Sequence, residues 1–260
     1  MTMKIENYGV GDRCTEAMRH LMEWEHAGGV PGGVERVIIL PIPTSRDGTH
    51  LTGSDRLLCE VLSGVGCGDI VVGYSIPEGD TEYIRSRGAG VCDVAEDEEF
   101  TLENAELTAI GTLGYLLTES AHAPSSMRVG IIGYGRIGAS LCRLLLFLGA
   151  KIRVYTSKEV TRVELGGLGV ESHGINYECP ELEDLSSVDV LINTAPRSLS
   201  TAFKGGRIPR GVRVIELASG NNFEGVEGVV RLASIPERYY PKSAGRAYFH
   251  AIQRYMREVF

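Results

Sequence analysis

Long apolar runs are missing from this 260-residue chain. The longest uninterrupted one, Leu144, Leu145, Leu146, Phe147 and Leu148, falls far short of the ~20 residues that cross a bilayer, so no transmembrane helix is expected. The first dozen residues are polar and lack the apolar stretch of a signal peptide, so a cytoplasmic protein is expected. Basic charge is also short. With 26 Lys and Arg against 34 Asp and Glu, the net charge is −8 and the pI about 5.4. Such a chain is repelled by phosphate backbones and anionic lipid, so neither nucleic acid nor a membrane surface is an expected partner. The six cysteines (Cys14, Cys59, Cys67, Cys92, Cys142 and Cys179) are scattered without a CxxC pair, and the six histidines do not cluster beside them. The expectation is reduced thiols and no metal site.

Glycine is what the chain has in excess: 33 residues, against about 7% in average usage. That suits tight turns and close backbone approaches, although a loop-rich chain would show the same excess. Hydrophobic (43%) and charged (23%) fractions allow one large domain or two modest ones, each with an adequate core.

Apolar spacing predicts a helix over 12–25, a glycine-rich break at 28–33, a buried strand at 37–40 ended by Pro41 and Pro43, and a polar loop at 44–49. A helix at 54–63, a short strand at 69–72, and a further helix and strand within 83–92 follow. A long helix comes next, with Leu102, Ala105, Ala109, Ile110, Leu113, Leu116 and Leu117 on one face. Proline and small residues at 121–124 mark a domain boundary. Beyond it the strand–helix alternation predicts strands at 128–132, 151–155, 188–193, 212–217 and 229–232, with helices at 137–148 and around 160–165. A last helix starts near Ala244 and turns Ala244, Ala247, Ala251, Ile252, Tyr255 and Val259 to one side. The expected architecture is α/β: a doubly wound, parallel-sheet Rossmann domain at 125–242 and a second, smaller α/β domain at the N-terminus, 1–124. The smaller domain is on the substrate side, with a linking helix at 101–120, and the last helix, 243–260, packs back on it.

Residues Gly133, Tyr134, Gly135, Arg136, Ile137 and Gly138 spell GxGxxG. Glycines alone say little, but here they follow an apolar strand and open a Leu-rich helix, the context in which the motif binds dinucleotides. Gly133 permits the tight turn, Gly135 lets the backbone approach a pyrophosphate, and Gly138 allows close helix–strand packing. The anion then meets the N–H groups at the helix start, with Arg136 beside it. NAD binders place an Asp or Glu after the next strand to hold the ribose 2′-hydroxyl. This chain has Thr156, Ser157 and Lys158 there, which favours NADP (as NADPH or NADP⁺) over NAD, although Lys158 also suits a solvated surface. Asn193, Thr194, Ala195 and Pro196 end one strand, and Ala218 and Ser219 end another. Both segments are expected to flank the nicotinamide ribose, or else to be plain turns.

These elements resemble the A-subunit family of dipicolinate synthase, a sporulation enzyme. The resemblance runs along most of the chain. It is carried by Leu40 to Gly48, by Thr101, Leu102 and Glu103, by the glycine turn at 133–138, by 193–196, by Glu216 to Ser219, and by Pro241, Lys242, Ser243, Ala244 and Gly245. It implies two α/β domains with the active site in the cleft, and NADP-dependent oxidation of a cyclic dihydrodipicolinate-type dicarboxylate to the aromatic diacid. It also implies a second, flavoprotein-like subunit; a homo-oligomer is expected as well. One departure stands out: after the first helix there is a glycine-rich link where the family has room for another strand.

A small dicarboxylate needs cationic or hydroxyl partners. Candidate substrate-binding residues are Thr44, Ser45, Arg46 and Asp47, with Ser243 and Ala244 at a helix start. Glu103 and Lys242 are the candidate catalytic residues for proton transfer, although Glu103 also simply suits the first turn of a helix, and Asp47 its own turn. Two other readings remain open here. One is a D-2-hydroxyacid-type dehydrogenase, which needs a histidine paired with a carboxylate, whereas the only late histidine, His250, has none beside it. The other is a non-catalytic NADP-binding partner protein.

Overall fold

The computed structural model describes residues 3–182 and 185–260. It divides into two compact units, Met1–Asn104 with Pro236–Phe260, and Ala105–Ile235. Each has its own parallel sheet.

In the first unit, strands β1 (Lys4–Asn7), β2 (Arg36–Ile39), β3 (Asp69–Gly73) and β4 (Gly90–Asp93) pair in that order, all parallel. Successive side chains of β2 and β3 turn to opposite faces, and both faces are buried, which is why these strands read as continuous apolar runs. Val37, Ile39, Ile70 and Val72 pack under helices α1 (Asp12–His26) and α8 (Pro241–Val259), whereas Ile38, Leu40 and Val71 pack under α2 (Leu58–Leu62) and α3 (Glu78–Ser86). The sheet grows in one direction from β1 to β4, yet α1 lies on the face opposite to α2 and α3. The β1–α1–β2 connection therefore has the opposite hand to the two that follow, a rare arrangement in parallel sheets. It follows from the glycine-rich link at 27–35, which returns directly into β2 without a strand of its own. At the carboxyl ends of β1 and β2 the connections therefore leave to opposite sides, the topology at which open α/β sheets bind ligands.

Helix α8 packs on α1 of this unit. It runs parallel to α1, with Gly245 against the first half of α1, and Phe249 stacked 5.6 Å from His20 and edge-on to Trp24. It starts at Pro241, whose missing N–H costs nothing in a first turn, and so begins earlier than expected. Ala244, Ala247, Ala251 and Ile252 are buried as expected, but Val259 is exposed. Asp97 precedes α4 (Glu98–Glu119) and accepts the Phe100 N–H at 2.7 Å, while Arg254 of α8 grips its carboxylate through two bonds, at 2.9 and 2.7 Å.

The second unit has strands β5 (Arg128–Ile132), β6 (Lys151–Thr156), β7 (Glu171–Gly174), β8 (Val190–Asn193), β9 (Arg213–Glu216) and β10 (Val229–Arg231). Their order, β10-β9-β8-β5-β6-β7, is the Rossmann order in which the chain reverses between β5 and β8. Helices α5 (Arg136–Phe147) and α6 (Glu159–Gly167) cover one face, together with the latter part of α4. The other face is covered mainly by irregular chain, through Leu199, Ala202, Phe203 and Phe223.

Several expectations are corrected. The helix expected at 54–63 is only α2, because residues 44–57 fold into a loop closed by the Ser45–Leu51 and His50–Leu57 bridges. Strand β7 went unseen because its sequence, ESHG, has no apolar residue. Short α7 (Ile235–Tyr239) was also missed. In α4 the apolar face is only partly covered: Ala105, Ala109 and Leu116 are buried, but Leu102, Ile110 and Leu117 are exposed.

Candidate functional site

The glycine turn has the geometry that its sequence asks for. Gly133 takes φ +87°, donates its N–H to the Tyr155 carbonyl at 2.8 Å, and lies so near Thr194 and Ala195 that a Cβ would meet them at 2.9–3.0 Å. A Cβ on Gly138 would overlap the Gly133 carbonyl oxygen. Gly135, by contrast, opens onto free space and precedes α5, whose first turn has no side-chain cap. An uncapped helix start behind an open glycine is an anion cradle, and it fits a dinucleotide pyrophosphate. Tyr134 turns inward onto the core of this unit, while Arg136 and Ile137 open α5.

After β6, Thr156 is buried, and its Oγ1 accepts the Lys158 N–H at 3.3 Å, which shapes the turn. Ser157 and Lys158 are exposed. A residue not anticipated from the sequence, Arg162, reaches back from α6 and donates to the Thr156 carbonyl at 3.2 Å. Its spacing from Lys158, one helical turn, was the available signal.

At the ends of β8 and β9 a buried clip joins two loops. The Asn193 amide donates to Glu216 Oε1 at 2.9 Å and to the Ala195 carbonyl at 3.0 Å, while its own oxygen accepts the Ala195 N–H at 3.0 Å. The Ala218 N–H donates to the same Glu216 oxygen at 2.9 Å. Glu216 is 3% exposed, and burial raises its pKa against the pull of Asn222, Ala218 and Asn193. Thr194 donates to the carbonyls of Ile132 and Gly133, so the 193–196 segment is fastened to the glycine turn itself. Pro196 and Ser219 are exposed at the tips. In this unit, then, the sites at 133–138, 156–158, 193–196 and 218–219 share one sheet edge, because all its strands are parallel and each site follows a strand.

The remaining candidates lie in the first unit. Thr44, after β2, is buried, and its Oγ1 accepts the Tyr74 N–H at 2.9 Å. Ser45 donates to Asp47, and Asp47 Oδ1 accepts the N–H groups of Thr49 and His50, both at 2.8 Å. Those backbone bonds, with the His50 side chain, hold the Asp47 carboxyl well below the usual range. His50 Nδ1 lies 2.8 Å from Asp47 Oδ2, an exposed histidine–carboxylate couple that sequence reasoning missed, although the three-residue spacing is visible in the chain. Arg46 is exposed and has no ion pair among the described residues. Lys242, Ser243 and Ala244 occupy the first turn of α8, with Lys242 exposed and Ala244 buried. Glu103 is exposed on α4, within electrostatic reach of Arg254.

Among the described residues three buried side-chain atoms lack a hydrogen-bond partner: Arg13 Nε, Thr52 Oγ1 and Glu216 Oε2. Buried polar atoms are paired in the great majority of cases. Arg13 follows β1, Thr52 follows β2 and Glu216 ends β9, so all three orphans belong to segments at carboxyl ends of strands, where open α/β sheets bind ligands. No group of three His, Cys, Asp or Glu side chains able to hold a metal occurs among the described residues, and no helix there is long and apolar enough to cross a membrane.

The Rossmann strand order, the glycine turn and the open helix start define a dinucleotide-binding type of fold. No family model matches the chain. A curated relative, the dipicolinate synthase A-subunit of Bacillus subtilis (strain 168), is 22% identical over 172 residues, 63% of this chain and 57% of that protein. The solved dipicolinate synthase A-subunit from Bacillus subtilis superposes with a TM-score of 0.72 at 18% identity, covering 99% of this chain and 97% of that one. The Bacillus halodurans A-subunit gives 0.73 at 21% identity, covering 98% and 99%. A Salmonella D-lactate dehydrogenase shares the fold more distantly, with a TM-score of 0.58 at 11% identity over 98% and 96% of the two chains. In sequence over that stretch, and in fold along nearly its whole length, the chain is thus similar to the dipicolinate synthase A-subunits that its motifs resemble.

Proposed function

We propose that the protein is an NADP(H)-dependent oxidoreductase of the cytoplasm that converts a dihydrodipicolinate-type cyclic dicarboxylate into dipicolinate. The observation that carries the cofactor choice is the end of β6, where Ser157, Lys158 and Arg162 stand and no carboxylate occurs before Glu159 opens α6. The match to the dipicolinate synthase A-subunit supports the substrate class. When bound, the nicotinamide supplies a hydride acceptor, so aromatising the ring requires one hydride and one proton to leave the substrate. The open turn at Gly135 and the start of α5 would hold the pyrophosphate, and Lys158 with Arg162 the 2′-phosphate. The Asn193–Glu216 clip fixes both loops that flank the nicotinamide ribose. Thr44, Ser45, Arg46, Asp47, Ser243 and Ala244 are assigned to substrate binding, and Glu103 and Lys242 to moving the proton. Self-association and a second, flavoprotein-like subunit belong to the same reading.

The His50–Asp47 couple favours a second reading, in which that loop removes the hydroxyl proton of a 2-hydroxy acid. Incubating the purified protein with NADP⁺ and the product of dihydrodipicolinate synthase, with and without a flavoprotein partner, tests the first. Formation of pyridine-diacid absorbance together with NADPH is expected. Its absence under both conditions, with turnover of D-lactate instead, would transfer the assignment to the second reading. No turnover of either substrate would leave a nucleotide-binding protein without catalysis.

A further inference from the structure

Arg13 is the least explained charge in the molecule. It is 4% exposed, and no described residue hydrogen-bonds its side chain or pairs with it within ion-pair distance. A guanidinium buried without a partner is costly, and a protein retains one only where something compensates it. Its nearest opposite charge is Glu237, whose carboxylate lies against Gly11. Tyr74, Tyr248 and Cys14 complete its electrostatic surroundings.

The backbone around Arg13 repeats, in the first unit, the logic of the glycine turn in the second. Strand β1 runs into Gly9-Val10-Gly11, and α1 starts immediately afterwards. Gly11 takes φ +97°, and no side chain caps the helix, so the N–H groups of the first turn of α1 find no side-chain acceptor. The parallel packing of α8 on α1, with a Cβ at Gly245 reaching 2.9 Å from the Arg13 carbonyl, brings a second helix start to the same end of the unit. At that end the connections of β1 and β2 part to opposite faces of the sheet. The loop after β2 closes over it: a Cβ on Gly53 would touch Val10 at 3.4 Å, and Arg56 lies 5.2 Å from the Tyr8 ring. This loop also carries Thr52, whose buried hydroxyl is the second orphan of the unit.

The geometry points to a carboxylate-binding subsite at the start of α1, in which Arg13 is the specificity-determining cation and the first-turn N–H groups share the anion. It deepens the proposed function, on which it rests, by assigning one carboxylate of the substrate to a residue outside the 44–47 loop. A planar guanidinium fork matches a carboxylate in two parallel bonds, which lysine cannot reproduce.

The probes are pyridine-2,6-dicarboxylate, malonate, D-lactate and sulfate, titrated calorimetrically into the wild-type protein, Arg13→Met and Arg13→Lys, each with NADPH present. Pyridine-2,6-dicarboxylate should bind the wild type saturably, and both variants should bind it at least about tenfold more weakly, as loss of a charge-assisted pair requires. Affinity for NADPH should stay unchanged. Without ligand, Arg13→Met should melt no lower than the wild type, because it removes a buried charge that Glu237 compensates only from beyond ion-pair distance; a merely structural arginine would give a lower melting temperature and equal binding. Equal binding by wild type and both variants overturns the subsite and leaves the substrate reading standing. Binding of malonate or D-lactate in place of the pyridine diacid, lost in the variants, keeps the subsite and overturns the substrate reading. Binding of sulfate alone, or of none of the four probes, overturns the subsite. If Arg13→Met does not fold, Arg13→Lys decides, since it keeps the charge and loses only the fork.

Discussion

Replacing Glu216 separates what its carboxyl does as an acceptor from what it costs as a charge. Oε1 takes two hydrogen bonds, from Asn193 and from the Ala218 N–H, and Oε2 has no partner among the described residues. In Glu216→Gln the amide oxygen keeps both bonds, so stability should stay within about 1 kcal/mol near the acid end of the range. In Glu216→Ala the Ala218 N–H is stranded and a small cavity opens, which together cost roughly 2–5 kcal/mol. The pH dependence distinguishes the two roles further. Burial raises the pKa of Glu216 above its ordinary value of 4.5, so the folded state binds the proton more tightly than the unfolded state. Its contribution is then fully present below 4.5 and is lost as pH rises through the folded pKa, at about 1.4 kcal/mol for each unit between the two values. Urea midpoints of wild type and Glu216→Gln, followed by circular dichroism at about pH 4.5, 6 and 8, should therefore move apart with rising pH, the glutamine variant gaining. A constant difference across that range, or a glutamine variant as unstable as the alanine one, would refute the buried-acid description.

Other perturbations have equally definite outcomes. Gly138→Ala forces a methyl onto the Gly133 carbonyl, so NADPH affinity should fall by at least about tenfold while the first unit keeps its stability; unchanged affinity would show that the turn tolerates displacement. Ser157→Asp with Lys158→Ala should weaken NADP(H) much more than NAD(H), and Arg162→Ala should do the same to a lesser degree; equal losses for both cofactors would mean that the 2′-phosphate lies elsewhere. Asp97→Ala removes the cap of α4 and the Arg254 fork, at a cost of about 1–3 kcal/mol in chemical denaturation. Although burial alone would raise the Asp97 pKa, the bonds from Arg254 and the Phe100 N–H lower it overall, so this stability is present above 3.8 and is lost as pH falls through the lower, folded value.

The parts of the fold legible in the chain were those where one periodicity dominates. The strand at 128–132 is apolar after Arg128, the one at 151–156 alternates Lys151 and Arg153 with Ile152 and Val154, and the glycine turn adds its own spacing. What escaped was decided by partners distant in sequence. Strand β7 has no apolar residue and exists because Arg153, Val154, Tyr155 and Thr156 offer it a ladder. Residues 54–57 of the expected helix are drawn into the preceding loop, where the Leu51 N–H donates to the Arg56 carbonyl and the Leu58 N–H to the Thr49 carbonyl. The apolar residues of α4 could not be divided into buried and exposed by period alone, since Leu102, Ile110 and Leu117 lie on exposed turns. In the candidate site the residues that follow strands could be read from position. Arg13, Glu216 and Arg162 could not be weighed, because an arginine near a helix start and a glutamate at a strand end are ordinary until their burial and partners are known.

Direct titration of the purified protein with NADPH and with NADH, followed by nicotinamide fluorescence, tests the central claim most simply. Saturable binding of both is expected, with NADPH the tighter, and with both lost when Gly135 is replaced by valine, whose side chain would fill the open cradle at the start of α5. Binding of neither nucleotide, or tighter binding of NADH, would contradict it.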